Sequence, residues 1–175
     1  MCENITILTS RFNNKTWEES NRIRNNYIIN DEKIKCVYCS TQKIIEKIPL
    51  HSFLFIIEMN NDTNTIEGIG FIRNTIQYNK IKVHEEGDFN RYIYTGRYWL
   101  SIEILTKENP LLMDIFTQLL FRGKTHSKRG RGLLRFPEKL FRHELFNDIG
   151  NEMDIKKILF SIFSKNKDKN FNKDK

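Results

Sequence analysis

Long apolar runs are missing from this sequence. The longest, residues 53–57, is far shorter than the roughly 20 residues a helix needs to cross a bilayer, which excludes a membrane-spanning helix. Cysteine is scarce too. Three thiols are an odd number, and Cys36 and Cys39 have no second pair to complete a four-ligand zinc site, so reduced cysteines in a reducing compartment are expected. The opening Met1-Cys2-Glu3 lacks a basic region followed by a long apolar segment; the expectation is an intracellular protein, cytoplasmic or nuclear and not secreted. Acid–base catalysis has little to work with, because His126, His143 and Glu144 have neither a nucleophile nor paired carboxylates at working spacing beside them. The sequence therefore predicts no catalytic residue, no metal site and no cofactor.

Acids are absent from one segment, and there the chain says most. Residues 122–135 carry six cations, Arg122, Lys124, Lys128, Arg129, Arg131 and Arg135, with no Asp or Glu, and residues 165–175 hold five Lys against two Asp. Taking +6 and +3 from the net charge of +7 leaves the remaining body near −2. The basicity is local, as an electrostatic footprint for phosphates is. Gly123, Gly130 and Gly132 within the first segment let backbone come close to a ligand. The abundance of Asn, Lys and Ile is what an AT-rich genome encodes, as in parasites and large DNA viruses.

At 175 residues the chain has the length of one domain, assigned to residues 1–164, with 165–175 as a basic, disordered tail. Residues 5–9 read as a strand ending in the turn-rich Ser10-Arg11-Phe12-Asn13-Asn14. Thr16-Trp17-Glu18-Glu19 spaces a hydroxyl and a carboxylate as a capping box does, predicting a helix from Thr16 to about residue 25. Residues 35–40, 53–59 and 66–73 are further strands, the last two a hairpin turned by Asn60-Asn61-Asp62-Thr63-Asn64. Gly68 and Gly70 mark a place where backbone curls or something approaches closely, and they imply a curved sheet or small barrel. Residues 91–105 read as a strand with a bulge at Thr95-Gly96. Asn109-Pro110 opens a helix that Gly123 stops, with Leu112, Ile115, Phe116 and Leu119 on one face. Pro137 opens another through about residue 147, and residues 152–164 make an amphipathic helix with Ile155, Ile158, Leu159, Ile162 and Phe163 inward. Trp17 and Trp99 are read as core anchors. The order of elements is that of an α+β fold.

Val37-Tyr38-Cys39-Ser40-Thr41 resembles the Trp-Cys-Ser-Thr stretch of YTH domains, readers of N6-methyladenosine in RNA. Residues 53–73 are similar to that family's next hairpin, and Tyr94-Thr95-Gly96-Arg97-Tyr98 to its Trp-Lys-Gly-Arg-Phe. Arg131, six positions before Pro137, resembles the arginine that contacts phosphate ahead of the family's closing helix. The likeness covers roughly residues 5–147 and implies a PUA-like, YTH-like curved sheet or small barrel flanked by helices. It further implies an aromatic cage of Tyr38, Phe89 and Tyr94, a Cys39 carbonyl that accepts from the base's N6–H, and Asn13 or Asn14 on the adenine ring. Phosphates would meet Arg122, Lys124, Lys128, Arg129, Arg131 and Arg135. The chain departs from the family in having Tyr or Phe for its tryptophans, an inserted helix before Tyr38, and Thr9 where the family has a phosphate-contacting Lys.

Such residue types suit an unstacked base. Stacking recovers about 1–3 kcal/mol per base but does not discriminate. Burying a methyl carbon adds about 0.8 kcal/mol, and an unmethylated amine would leave a buried donor unsatisfied at about 1–3 kcal/mol, for roughly ten- to several-hundred-fold selectivity. The expected partner is single-stranded RNA with a modified adenosine, DNA being the other option, and no membrane. Three alternatives stand beside this reading: an EVE-like reader of modified DNA, which shares the PUA-like fold; a packaging or assembly protein that neutralises nucleic acid without reading bases; and a nucleic-acid hydrolase using His126 or His143.

Overall fold

A computed structural model describes residues 4–29, 33–78, 81–124 and 126–166. Seven strands are described: β1 (Ile5–Phe12), β2 (Cys36–Ser40), β3 (Phe53–Asn60), β4 (Thr65–Arg73), β5 (Tyr92–Gly96), β6 (Tyr98–Ser101) and β7 (Leu134–Arg135). Four α-helices accompany them: α1 (Asn14–Ile29), α2 (Ile102–Glu108), α3 (Pro110–Phe121) and α4 (Glu152–Lys165). Five strands form one mixed sheet in the order β6-β4-β3-β1-β7, with β1 and β3 parallel, while β2 and β5 form a separate antiparallel ribbon. The sheet is open and not a closed barrel, so of the two expected shapes the small barrel is corrected, and the α+β class stands.

Strand β3 explains the layering. It lies inside the sheet with partners on both edges, and a buried core packs on each of its faces, so it reads as a near-continuous apolar run. Phe55, Ile57 and Met59 enter the core shared with α3 and α4; Leu54 and Ile56 enter a second core with Tyr38 and Tyr94 of the ribbon. The expected inward residues of α3, Leu112, Ile115, Phe116 and Leu119, are all buried, and Asn109 caps it by accepting from the Leu112 N–H at 3.0 Å. In α4, Ile155, Leu159, Ile162 and Phe163 are buried and Ile158 is half-buried.

Several boundaries differ from the sequence reading. Asn13, not Thr16, begins α1: its side-chain oxygen accepts from Thr16 N–H at 2.8 Å while Thr16 Oγ1 accepts from Asn13 N–H at 3.0 Å. The reciprocal cap is the expected device moved three residues forward, because β1 continues through Phe12 and leaves Asn13 at the corner. Residues 91–105 are not one strand. The ladder changes sheets at Arg97, β5 pairing with β2 and β6 with β4, and residues 102–105 are helical. The helix expected after Pro137 is two 3-10 turns, Glu138–Arg142 and Glu144–Phe146. Lys165 belongs to α4 and bonds Glu108 at 2.6 Å, so the tail cannot begin there; residues 167–175, where the rest of the tail falls, lie outside the described residues.

The two β4 glycines do mark close approaches. A Cβ at Gly68 would meet the Trp99 ring at 2.7 Å, and one at Gly70 would meet the Tyr38 hydroxyl at 2.0 Å. Gly70→Ala is expected to destabilise the fold by about 1–3 kcal/mol, the usual cost of overpacking. In the Gly70→Ala/Tyr38→Phe double variant the combined loss should be smaller than the sum of the singles, because the clashing oxygen is gone; urea denaturation of the four proteins measures this.

Candidate nucleic-acid interface

The candidate site lies where β1 and β3 end. Ser10, Arg11 and Phe12 close β1, Asn13 and Thr16 open α1, Cys39, Ser40 and Thr41 close β2, and Asn61 starts the β3–β4 turn; together they line a cleft of about 390 Å³. The opposite wall is His84, Glu86, Asp88 and Phe89, and the remaining side is Gly130, Arg131 and Gly132 of the basic segment.

The basic segment is clamped to the end of the sheet. Arg11 Nε donates to the Ser127 carbonyl at 2.7 Å, and Asn61 Nδ2 donates to the Lys128 carbonyl at 2.9 Å. Burial lowers the Arg11 guanidinium to about 10, which still leaves it charged at neutral pH. Left-handed backbone occurs at Gly130 (φ 123°) and Gly132 (φ 72°), and a Cβ at Gly132 would meet Ser40 Oγ at 2.3 Å, so glycine lets the loop lie against β2. Beyond the loop, β7 adds to the sheet edge beside β1, and Phe136 N–H donates to the Ile7 carbonyl at 2.9 Å.

The far wall is built on a histidine–carboxylate contact. His84, 5% exposed, approaches Glu19 Oε2 through Nδ1 at 2.6 Å, which ties the segment before β5 to α1. Phe89, half-buried, stands edge-on to the His84 ring with centroids 6.0 Å apart. Asn90 fixes the turn, its side-chain oxygen accepting from Val83 and His84 N–H, both at 2.9 Å. The wall thus offers aromatic surface beside polar edges, with Glu86 and Asp88 giving it acidic character that the loop lacks.

Of the sequence-derived residues, Asn13, Cys39, Phe89 and Arg131 come together in this cleft. Asn14 does not: its side-chain oxygen accepts from Asn60 Nδ2 at 3.1 Å and its N–H donates to Asp62 Oδ2 at 2.9 Å. The aromatic cage is corrected. Tyr38 is 0% and Tyr94 1% exposed, and they are cross-strand neighbours on the ribbon face that packs against the sheet. Tyr38 donates its hydroxyl to Glu58 Oε1 at 2.7 Å, while Tyr94's hydroxyl accepts from Ile44 N–H at 3.1 Å. The physical reason is strand alternation: with Val37 and Cys39 on one face of β2, Tyr38 must take the other.

Arg122, Lys124, Arg129, Arg131 and Arg135 are exposed and Lys128 is half-buried. Arg135 pairs with Glu138 at 2.9 Å, leaving the others to the solvent-facing side of the loop. His126 and His143 serve backbone turns, accepting from Lys128 N–H at 3.4 Å and Leu145 N–H at 3.3 Å. Burial pushes the thiols of Cys36 and Cys39 up to about 12, so both stay protonated and weakly reactive at neutral pH.

The chain matches no protein-family model, no curated protein and no solved structure. The site therefore rests on its own geometry.

Sequence reasoning missed Arg11, Asn61 and the Glu19–His84 pair. The partners of Arg11 and His84 are 116 and 65 positions away, and neither residue sits in a motif that announces them. Arg11→Ala should release the loop: amide exchange at residues 126–132 is expected to rise while that of β3 is unchanged, and losing a charge-assisted bond should cost about 1.5–3 kcal/mol of stability. Unchanged protection across the loop would show that Arg11 does not hold it.

Proposed function

We propose that this chain binds single-stranded nucleic acid, RNA before DNA, and that it draws one unstacked nucleotide into the cleft beside the clamped basic loop. The protein acts as a reader and not as an enzyme, with N6-methyladenosine as the first candidate for the base. The observation that carries the reading is convergence. Asn13, Cys39, Phe89 and Arg131 come from four well-separated parts of the chain and line one cleft, whose volume of about 390 Å³ falls within the usual range for small-ligand sites, about 300–1,000 Å³.

The chemistry follows from the walls. Phe89 supplies a stacking face, and the backbone and side chains of residues 39–41 and Asn13 supply hydrogen-bonding groups for a base edge. Arg131 at the rim and the exposed cations along the loop suit the phosphates on either side. Glu86 and Asp88 on the Phe89 wall repel phosphate there, which orients the backbone toward the loop. Likeness to PUA-like, YTH-type readers is supported by the same convergence, while the helix inserted between β1 and β2 departs from that family.

One observation favours a plainer rival. With Tyr38 and Tyr94 sealed in the core, methyl discrimination cannot use them, and a packaging protein would need only the loop. Matched oligonucleotides with and without N6-methyladenosine, as RNA and as DNA, separate these readings. The reader requires a methyl preference in RNA; an EVE-like reader keeps its preference in modified DNA; equal affinity for all four leaves the base-blind binder. Phe89→Ala should weaken binding by about 1–3 kcal/mol through lost stacking. Arg131→Ala should weaken methylated and unmethylated strands alike, and four or five loop contacts should give a log–log salt slope of about −3.

A further inference from the structure

The opposite end of the sheet holds a second cleft that the proposed function does not use. It arises because the chain leaves the ribbon at Gly96 and β6 then pairs with only Gly68–Phe71 of β4. The end of β4, the start of β3 and the β5–β6 junction then enclose about 680 Å³. Following β3 from Phe53 to Asn60, at about 3.3 Å per residue, separates the two clefts by over 20 Å.

The walls have a consistent chemistry. Phe53, 37% exposed, and Phe71 are stacked with centroids 5.2 Å apart and planes at 10°. The Arg73 guanidinium lies over the Phe53 ring, 4.7 Å from its centroid, where a cation is attracted to the ring face. Arg97 adds a second exposed cation at the junction. Among the described residues, no carboxylate lines the cleft and neither arginine has an acidic partner. Thr75 and Gln77 contribute side chains that can donate and accept.

An exposed aromatic ring and two guanidiniums fit a ligand with one flat apolar face and a compact anion. We propose that this cleft is a second nucleotide site: the base lies against the Phe53–Arg73 stack, and the phosphate is shared by Arg73 and Arg97. Two guanidiniums match a phosphate's several acceptor oxygens and its charge, and Arg forms bidentate contacts with such groups. The nucleotide can be free or part of a strand, and both sources present the same chemistry.

The test is NMR titration of the full ¹⁵N-labelled chain with AMP, with inorganic phosphate and with a short single-stranded RNA. Shifts are expected at residues 71–77 and 95–98, distinct from those at 39–41, 84–89 and 130–132. Arg73→Ala and Arg97→Ala should each weaken the AMP binding read at residues 71–77 and 95–98 about tenfold, and Arg73→Lys should weaken it less. Crevice shifts with AMP identify a free nucleotide; crevice shifts with RNA alone, lost in Arg73→Ala, identify a strand, and both uphold the site. The proposal is overturned if neither ligand shifts the crevice. It is also overturned if inorganic phosphate reproduces the AMP pattern at equal concentration, or if a folded Arg73→Ala/Arg97→Ala chain binds like the parent. None of these results depends on methyl recognition in the first cleft.

Discussion

A carboxylate with no solvent exposure stands in the middle of the most apolar strand, and the relation between the layers depends on it. Glu58 of β3 accepts from Tyr38 at 2.7 Å, from Trp99 Nε1 at 2.9 Å and from Arg24 Nη2 at 3.2 Å. Those donors come from the ribbon, from β6 and from α1. Arg24 also stacks 3.8 Å from the Trp99 ring centroid and 5.0 Å from that of Trp17, so its charge is enclosed by aromatic faces. Desolvation pushes the Glu58 carboxyl above its usual range, while Arg24, Tyr38 and Trp99 pull it back down. Removing one partner of such a buried pair typically costs about 3–5 kcal/mol, because the other charge is then left uncompensated. Apolar contact alone would let the ribbon and α1 slide over the sheet; three directional bonds to one acceptor fix where they sit.

That fixed position creates both clefts. Tyr38 can reach Glu58 only because Gly70 has no side chain, and Trp99 lies over β4 only because Gly68 has none. Tyr38 anchors the ribbon at its centre, and at one end Cys36 donates its thiol to the Tyr98 carbonyl at 3.5 Å. Residues 39–41 become a wall of the first cleft and Thr95 and Gly96 a wall of the second. The tyrosine that family resemblance assigns to the base thus has another task, which is to hold the scaffold on which the cleft is built.

Much of the fold was legible because it follows from local chemistry. The β3–β4 hairpin, the Asn109 cap with Pro110 after it, and the inward faces of α3 and α4 are encoded within a few residues of where they act. The misreadings share a different cause. Residues 102–105 are rich in strand-favouring side chains, yet Ser101 ends β6 and the chain turns into α2, since β6 has pairing only for residues 98–101. For Tyr38, alternation along β2 is local, but which face meets the sheet is decided by Glu58, twenty positions away. Glu58 itself looks like an ordinary surface acid in the sequence, and it is buried by Tyr38, Trp99 and Arg24, which come from three distant segments. Four residues assigned by the resemblance line the cleft, whereas Tyr38 and Tyr94 lie in the core, their roles set by the chemistry of their neighbours.

A basic segment rich in glycine would ordinarily be a costly binder, because ordering each residue on a ligand sacrifices about 1–2 kcal/mol of backbone entropy. Here much of that ordering is already done in the fold. Arg11 and Asn61 hold two successive carbonyls of the segment, Ser127 N–H donates to the Leu120 carbonyl at 2.8 Å, and β7 pins its far end to β1. The bonds use backbone acceptors, and among the described residues Arg135 alone of the exposed loop cations has an acidic partner. Glycines at left-handed positions shape the loop without adding side chains that would fill the cleft beside Ser40. The segment therefore meets an anionic partner as a preformed rim, and any interaction free energy it gains goes into affinity and not into folding the loop.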